Sequence, residues 1–200
     1  MSVIRSLYDS QDAILSGIQE LYLPDGYQCD ITFGNGAFWK NLSQPELRFD
    51  ISPQVSGVIA ATSTNLPLRN ESIQNIVFDP PFLTYIRNDR TGNGKMIMAQ
   101  RFSGYWTYQE LQDHYSQTLL ECYRVLQKKG LLIFKCQDIV HNHRFHPTHV
   151  NVIMWAQDVG FRLKDMFVLA AKHRLPAPNR AGKQKHARIF HSYFLVLEKF

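Results

Sequence analysis

A chain of 200 residues that is 44% hydrophobic and 12% aromatic can close one sizeable core, which argues against a disordered protein. Its formal net charge of +5 is mildly basic, compatible with a polyanionic partner without requiring one. No long apolar span occurs and charges are scattered through residues 1–19, so neither a transmembrane helix nor a signal peptide is expected, and the expected compartment is the cytoplasm.

The first predicted element is a helix over 11–23. Ile14, Leu15, Ile18 and Leu21 recur at helical spacing behind the cap candidate Ser10, and Pro24-Asp25-Gly26 turns the chain. A short strand over 27–33 runs into Gly34-Asn35-Gly36. A second strand follows over 47–51, a short third over 58–62, and a fully apolar, central fourth over 76–78. Residues 83–106 are polar and glycine-bearing with no steady period, so they read as a long functional loop.

A helix is predicted over 108–126, with Leu111, Tyr115, Leu119, Cys122 and Val125 on one face and Lys128-Lys129-Gly130 ending it. A buried strand, L-L-I-F-K, comes next. A helix over 150–159 is closed by Gly160, and a strand F-R-L-K-D-M-F-V-L follows it. A basic loop over 172–188 then leads to the last strand, S-Y-F-L-V-L-E. Strands alternating with helices, then two strands close together, imply an α/β sheet that is mostly parallel with a C-terminal antiparallel strand. We expect one domain over 1–200. Ligands should sit at the carboxyl ends of its strands, where both Gly34-Asn35-Gly36 and Asp79-Pro80-Pro81-Phe82 fall.

Three stretches carry chemistry. In D-I-T-F-G-N-G-A-F-W (30–39), Gly34 and Gly36 let the backbone turn tightly and approach a ligand. This is not the dinucleotide fingerprint, because Trp39 occupies the place of its third glycine. Asp50 ends the next strand twenty residues after Asp30, where a carboxylate can accept both protons of a ribose hydroxyl pair; a solvated strand-end acid is the plainer alternative. In D-P-P-F, two prolines end strand pairing. They leave the Asp79 carboxylate and the Pro80 carbonyl as fixed acceptors at a strand's carboxyl end, with the Phe82 ring beside them.

A GxG loop after the first strand, an acid after the second, D-P-P-F after the fourth, and then E-C-Y-R-V-L-Q-K-K-G-L-L-I-F-K form a recognisable order. Over about 11–199 the chain resembles class I, Rossmann-like S-adenosylmethionine-dependent methyltransferases. It is most similar to the amino-methyltransferase branch with a DPPF motif, of the small bacterial or phage DNA adenine methylase type. The resemblance implies S-adenosylmethionine as cofactor, with Asp30, Phe33, Gly34 and Gly36 at its methionine end and Asp50 on its ribose. Thr62 stands where many relatives carry an acid for the cofactor's adenine amine, and a hydroxyl accepts that bond more weakly.

The resemblance also implies a catalytic corner made of Asp79, Pro80, Pro81 and Phe82. Two acceptors can bind both N–H groups of an exocyclic amine and turn its lone pair towards the methyl donor, while Phe82 stacks on a flipped base. Nucleic acid is the implied partner, DNA ahead of RNA. Arg87, Arg90 and Arg101 in the long loop and Lys183, Lys185 and Arg188 in the basic loop are the candidate phosphate contacts; a solvated loop is the alternative for the first three. No separate specificity domain is left over, so recognition is expected to be short, lax or shared with a protein partner. Cys29, Cys122 and Cys136 read as free thiols filling the core. His141, His143, His146 and His149 lack a completing cysteine or acid at a familiar spacing, so no metal is expected. RNA base methylation, or an idle nucleic-acid-binding module of the same fold, are the competing readings.

Overall fold

The computed structural model describes residues 3–84, 104–171 and 185–200. Ten strands and three α-helices follow one another along these segments. They are β1 (Leu7–Tyr8), α1 (Gln11–Tyr22), β2 (Cys29–Asp30), β3 (Leu47–Asp50), β4 (Ile59–Ala60) and β5 (Ile73–Phe78), then α2 (Tyr108–Val125), β6 (Leu126–Cys136), β7 (Ile139–His141), β8 (Arg144–His146), α3 (Thr148–Val159), β9 (Phe161–Ala170) and β10 (His191–Lys199). Eight strands form one sheet in the order β1-β9-β10-β6-β5-β2-β3-β4, and β7 pairs with β8 as a separate hairpin. From β6 through β5, β2 and β3 to β4 every pairing is parallel, while β10 runs antiparallel to both β6 and β9.

Side-chain alternation along the central strands explains the layering. Ile76 and Phe78 of β5 and Leu132, Phe134 and Cys136 of β6 face one core, which α2 covers with Leu111, Tyr115, Leu119, Cys122 and Val125 and α3 with Val152 and Ala156. Val77, Leu131 and Ile133 face the other core, which α1 covers with Ile14, Leu15 and Ile18. All three cysteines are buried. Successive strands build outward from β2 through β3 to β4, and the chain then returns to place β5 on the other side of β2. The carboxyl ends of β2 and β5 therefore flank the point where the order reverses, which is where open α/β sheets leave a crevice.

Several local expectations differ from the structure. The helix ends at Val125, one residue short of the expected 126, and Lys128-Lys129-Gly130 belong to β6 rather than to its end: the Leu126 N–H still bonds Cys122 O, but Leu126 is already extended and pairs with Ile73. Lys129, at φ 65°, lies in the irregularity that follows. Gly130 is fixed by crowding, since a Cβ there would come within 2.8 Å of Gln127 O and 3.0 Å of Gln74 O. The β7–β8 hairpin escapes sequence reading because its turn residues, Asn142 and His143, take positive φ (50° and 58°) without a glycine. The third α-helix starts at Thr148 and not Val150, directly behind Pro147.

Candidate functional site

The carboxyl end of β2 turns outward through a set of side-chain-to-backbone bonds. Asp30 is 1% exposed; its Oδ1 accepts the Thr32 N–H at 2.7 Å and its Oδ2 accepts the Trp39 indole N–H at 2.6 Å. Burial pushes its carboxyl up to about 7, against the lowering pull of the Trp39 and Thr32 hydrogen bonds. Trp39 closes a 3₁₀ turn over Ala37–Trp39 and is itself buried, so the loop is bolted down from below.

Above that bolt, Gly34 and Gly36 take φ of 56° and 79°, a region costly for any residue with a Cβ. A Cβ on Gly36 would also come within 3.1 Å of the Phe33 ring. At Gly34 no described residue other than its chain neighbours comes within 4 Å of that position, so the backbone there borders open space among the described residues. Asp50, at the end of β3, accepts the Gly34 N–H through Oδ2 and the Ser52 N–H through Oδ1, both at 2.8 Å. It is only half-buried, and each oxygen keeps a second lone pair for a further donor. Thus Gly34 and Asp50 frame one open lip, with Gly36 buried behind it. Asp30 and Phe33 support it from the core, and Phe33 is 3% exposed.

One strand over, the half-buried Asp79 leaves β5 and its backbone N–H donates to Thr32 Oγ1 at 2.8 Å. The loop after β2 and the D-P-P-F corner are thereby tied to each other. Pro80 is buried, and Pro81 and Phe82 are partly exposed. The Pro81 carbonyl accepts the hydroxyl of Tyr115 at 2.9 Å, so α2 grips the corner from the opposite face of the sheet. Just past the corner, Leu83 O accepts the Tyr105 N–H at 3.1 Å.

The Asp79 carboxylate faces a cation that sequence reading overlooked. Lys135 Nζ lies 3.2 Å from Oδ1 and 3.2 Å from Oδ2, donates to Gln11 Oε1 at 2.9 Å, and stands over the rings of Phe38 (5.2 Å) and Phe194 (5.6 Å). The available signal was the lysine that closes the apolar run L-L-I-F-K over 131–135. The hydrogen bonds that Thr32 and Trp39, both within 30–39, make to Asp79 and Asp30 are likewise not readable from the sequence.

The remaining candidates are spread out. Thr62 is half-buried beyond β4, with its hydroxyl 3.0 Å from that of Thr64. Lys185 and Arg188 are exposed, and next to them His186 Nε2 is 3.0 Å from the His143 carbonyl. Arg87, Arg90, Arg101 and Lys183 lie outside the described residues, as do most of the 83–106 and 172–188 loops. Among the described residues no three His, Cys, Asp or Glu side chains converge as a metal site. Nor is any of their helices long and apolar enough to cross a membrane.

No protein-family model and no curated protein sequence matches the chain. Among solved structures, it is similar to an S-adenosylmethionine-dependent methyltransferase of Thermotoga maritima at 18% identity, covering 96% of this chain and 89% of that one, with a TM-score of 0.50. It is likewise similar to a candidate methyltransferase of Haloferax volcanii solved with the Trm112 methyltransferase activator, at 13% identity, 98% and 97% coverage and a TM-score of 0.50. A candidate DNA modification methylase of Thermus thermophilus is 20% identical over 66% of this chain and 47% of its own, with a TM-score of 0.44. The chain spans about half the length of that Thermus protein. The two likenesses at a TM-score of 0.50 show the fold: a Rossmann-like α/β methyltransferase sheet, mostly parallel, with a C-terminal antiparallel strand.

Proposed function

We propose that the chain is an S-adenosylmethionine-dependent methyltransferase that methylates an exocyclic amino group of a nucleobase, adenine in DNA. The observation that carries this reading is the place of Asp79. Its carboxylate stands at the carboxyl end of β5, with its backbone N–H bonded to Thr32 on the neighbouring β2 loop that also bears Gly34 and the Asp50 contact.

The residues present fit the cofactor. Asp50 retains lone pairs for two ribose hydroxyls, and among the described residues the positive-φ Gly34 borders open space where a methionine moiety can lie against backbone. Asp30 and Phe33 act beneath the lip, by holding its shape. Thr62 is the proposed contact to the adenine amine. The cofactor supplies an activated methyl group on a sulfonium.

Everything else falls to the chain's own groups. An exocyclic amine is a weak nucleophile because its lone pair is delocalised into the ring. With its two N–H groups donated to the Asp79 carboxylate and the Pro80 carbonyl, the nitrogen is favoured in a pyramidal form with its lone pair aimed at the methyl, and the carboxylate offsets the positive charge that develops on it. Phe82 covers the base once it has left the duplex. Arg87, Arg90, Arg101, Lys183, Lys185 and Arg188 are the proposed phosphate contacts, with recognition short, lax or shared with a protein partner. Incubation with labelled cofactor and a panel of DNA and RNA substrates, followed by identification of the methylated nucleoside, tests the reading. N6-methyladenine in DNA is the expected product. Label in RNA alone would move the substrate, and label in no nucleobase would refute the proposal.

A further inference from the structure

We infer that Lys135 is a positioning residue for the Asp79 carboxylate, the built-in counter-ion that fixes its plane and leaves its outer lone pairs for the target amine. The inference rests on the proposed role of Asp79 as acceptor for that amine.

The sequence places a cation where the fold has little use for one. Leu131, Leu132, Ile133, Phe134 and Cys136 are all buried in β6, and alternation puts Lys135 on the α1 face with Leu131 and Ile133. Its side chain is only 12% exposed. Lysine is almost never so enclosed unless it is paired. Here the enclosure is complete in kind: a carboxylate, an amide oxygen from the first residue of α1, and two aromatic faces surround one ammonium.

A space-filling role does not call for this arrangement. A buried ion pair stabilises a fold no better than apolar residues of the same volume, because desolvating both charges offsets their attraction. A leucine or methionine between Phe38 and Phe194 would serve packing as well.

What the ion pair adds is geometry. The ammonium approaches both oxygens of Asp79 at the same 3.2 Å, a two-point contact that stops the carboxylate from rotating about its last torsion. Each oxygen has two lone pairs, and an ammonium on one side leaves the others available. Thr32 fixes the Asp79 backbone at the same time, and Gln11 fixes the ammonium. The acceptor is therefore held at its N–H, at its carboxylate, and through the partner of that carboxylate. Preorganisation of this kind shows in the chemical step and not in cofactor binding.

The test is a double-mutant cycle on methyl transfer to the nucleic-acid substrate, with Lys135→Met and Lys135→Arg each made in the wild type and in Asp79→Asn. kcat, KM and calorimetric cofactor affinity are read for every protein. Lys135→Met should lower kcat by about ten-fold or more while leaving cofactor affinity within about three-fold, and Lys135→Arg should restore most of the loss. In the Asp79→Asn background the same Lys135→Met change should cost less than about two-fold, because the charge it serves is gone. Gln11→Leu should give a smaller fall in kcat, and none once Lys135 is Met; this variant keeps the test open if Lys135→Met does not fold.

Equal losses in both backgrounds would overturn the inference and make Lys135 a packing residue. A loss of cofactor affinity with kcat retained would overturn it in favour of a cofactor contact, and faster turnover in Lys135→Met would make the ammonium an obstacle. Wild-type protein that methylates no nucleobase would instead refute the underlying role of Asp79, and this inference with it.

Discussion

The hydroxyl of Thr32 accepts the backbone N–H of Asp79 at 2.8 Å, across 47 residues of sequence. This one bond joins the loop after β2 to the corner after β5. Thr32→Val keeps the shape and removes the acceptor, so it should cost about 1 kcal/mol of stability in denaturant unfolding and lower methyl-transfer kcat by more than that loss alone explains. Thr32→Ser should behave as wild type. Unchanged kcat in Thr32→Val would show that the two loops need no such tie.

Asp79 and Phe82 should separate by severity. Asp79→Ala should lower turnover on the order of a hundred-fold or more with cofactor binding near normal, because a preorganised acceptor acts on the transition state. Asp79→Asn should lose less, since it keeps the shape and one acceptor oxygen. Phe82→Ala should be intermediate and Phe82→Trp mild, as a stacking face survives in the latter. Single-turnover rates check the order, and full activity in Asp79→Ala would reduce the corner to a turn.

Cofactor binding should be visible as a thermal shift, because only the folded state can bind. S-adenosylmethionine or its demethylated product at about a hundred-fold excess over Kd should add about 2.7 kcal/mol of stability. In Asp50→Ala the Gly34 and Ser52 amides lose their acceptor, so the shift should shrink at equal ligand concentration. A full shift in the variant would place the ribose elsewhere.

Asp30 gives the pH dependence a sign. Burial raises its folded value to about 7 from the ordinary 3.8. Between those values the folded state holds a proton that the unfolded chain has released, so this group's contribution to stability is greatest at low pH and is lost as pH rises through about 7. Asp30→Asn abolishes that titration. The melting temperature of the wild type minus that of Asp30→Asn should therefore fall steadily from about pH 4 to about pH 8. A difference independent of pH would mean that the Trp39 and Thr32 N–H groups keep Asp30 ionised throughout.

Phosphate contact by Lys185 and Arg188, both exposed, predicts a shallower salt dependence of nucleic-acid binding when both become alanine. The slope of log K against log salt should drop by about one unit per lost contact. An unaltered slope would make the two residues ordinary solvated charges.

The sheet was legible in the sequence because its signals are local. Apolar runs such as Ile76 to Phe78 and Leu131 to Phe134, the helical period from Leu111 to Val125, and glycine or proline punctuation each depend on a few neighbouring residues. The types and order of the main elements followed from them. So did the positions of Gly34, Asp50 and Asp79 at or just past the carboxyl ends of strands, since each closes or follows a predicted strand. Pairing across distance was not legible. That Asp30 is spent on Trp39 and Thr32, that the Pro81 carbonyl is held by Tyr115, and that Lys135 faces Asp79 across 56 residues depend on strand order and on which face each side chain takes. A carboxylate in sequence reads the same whether it points to a ligand or into a core. Only packing, which sets burial and brings donors within hydrogen-bond reach, separates Asp50 on the open lip from Asp30 beneath it.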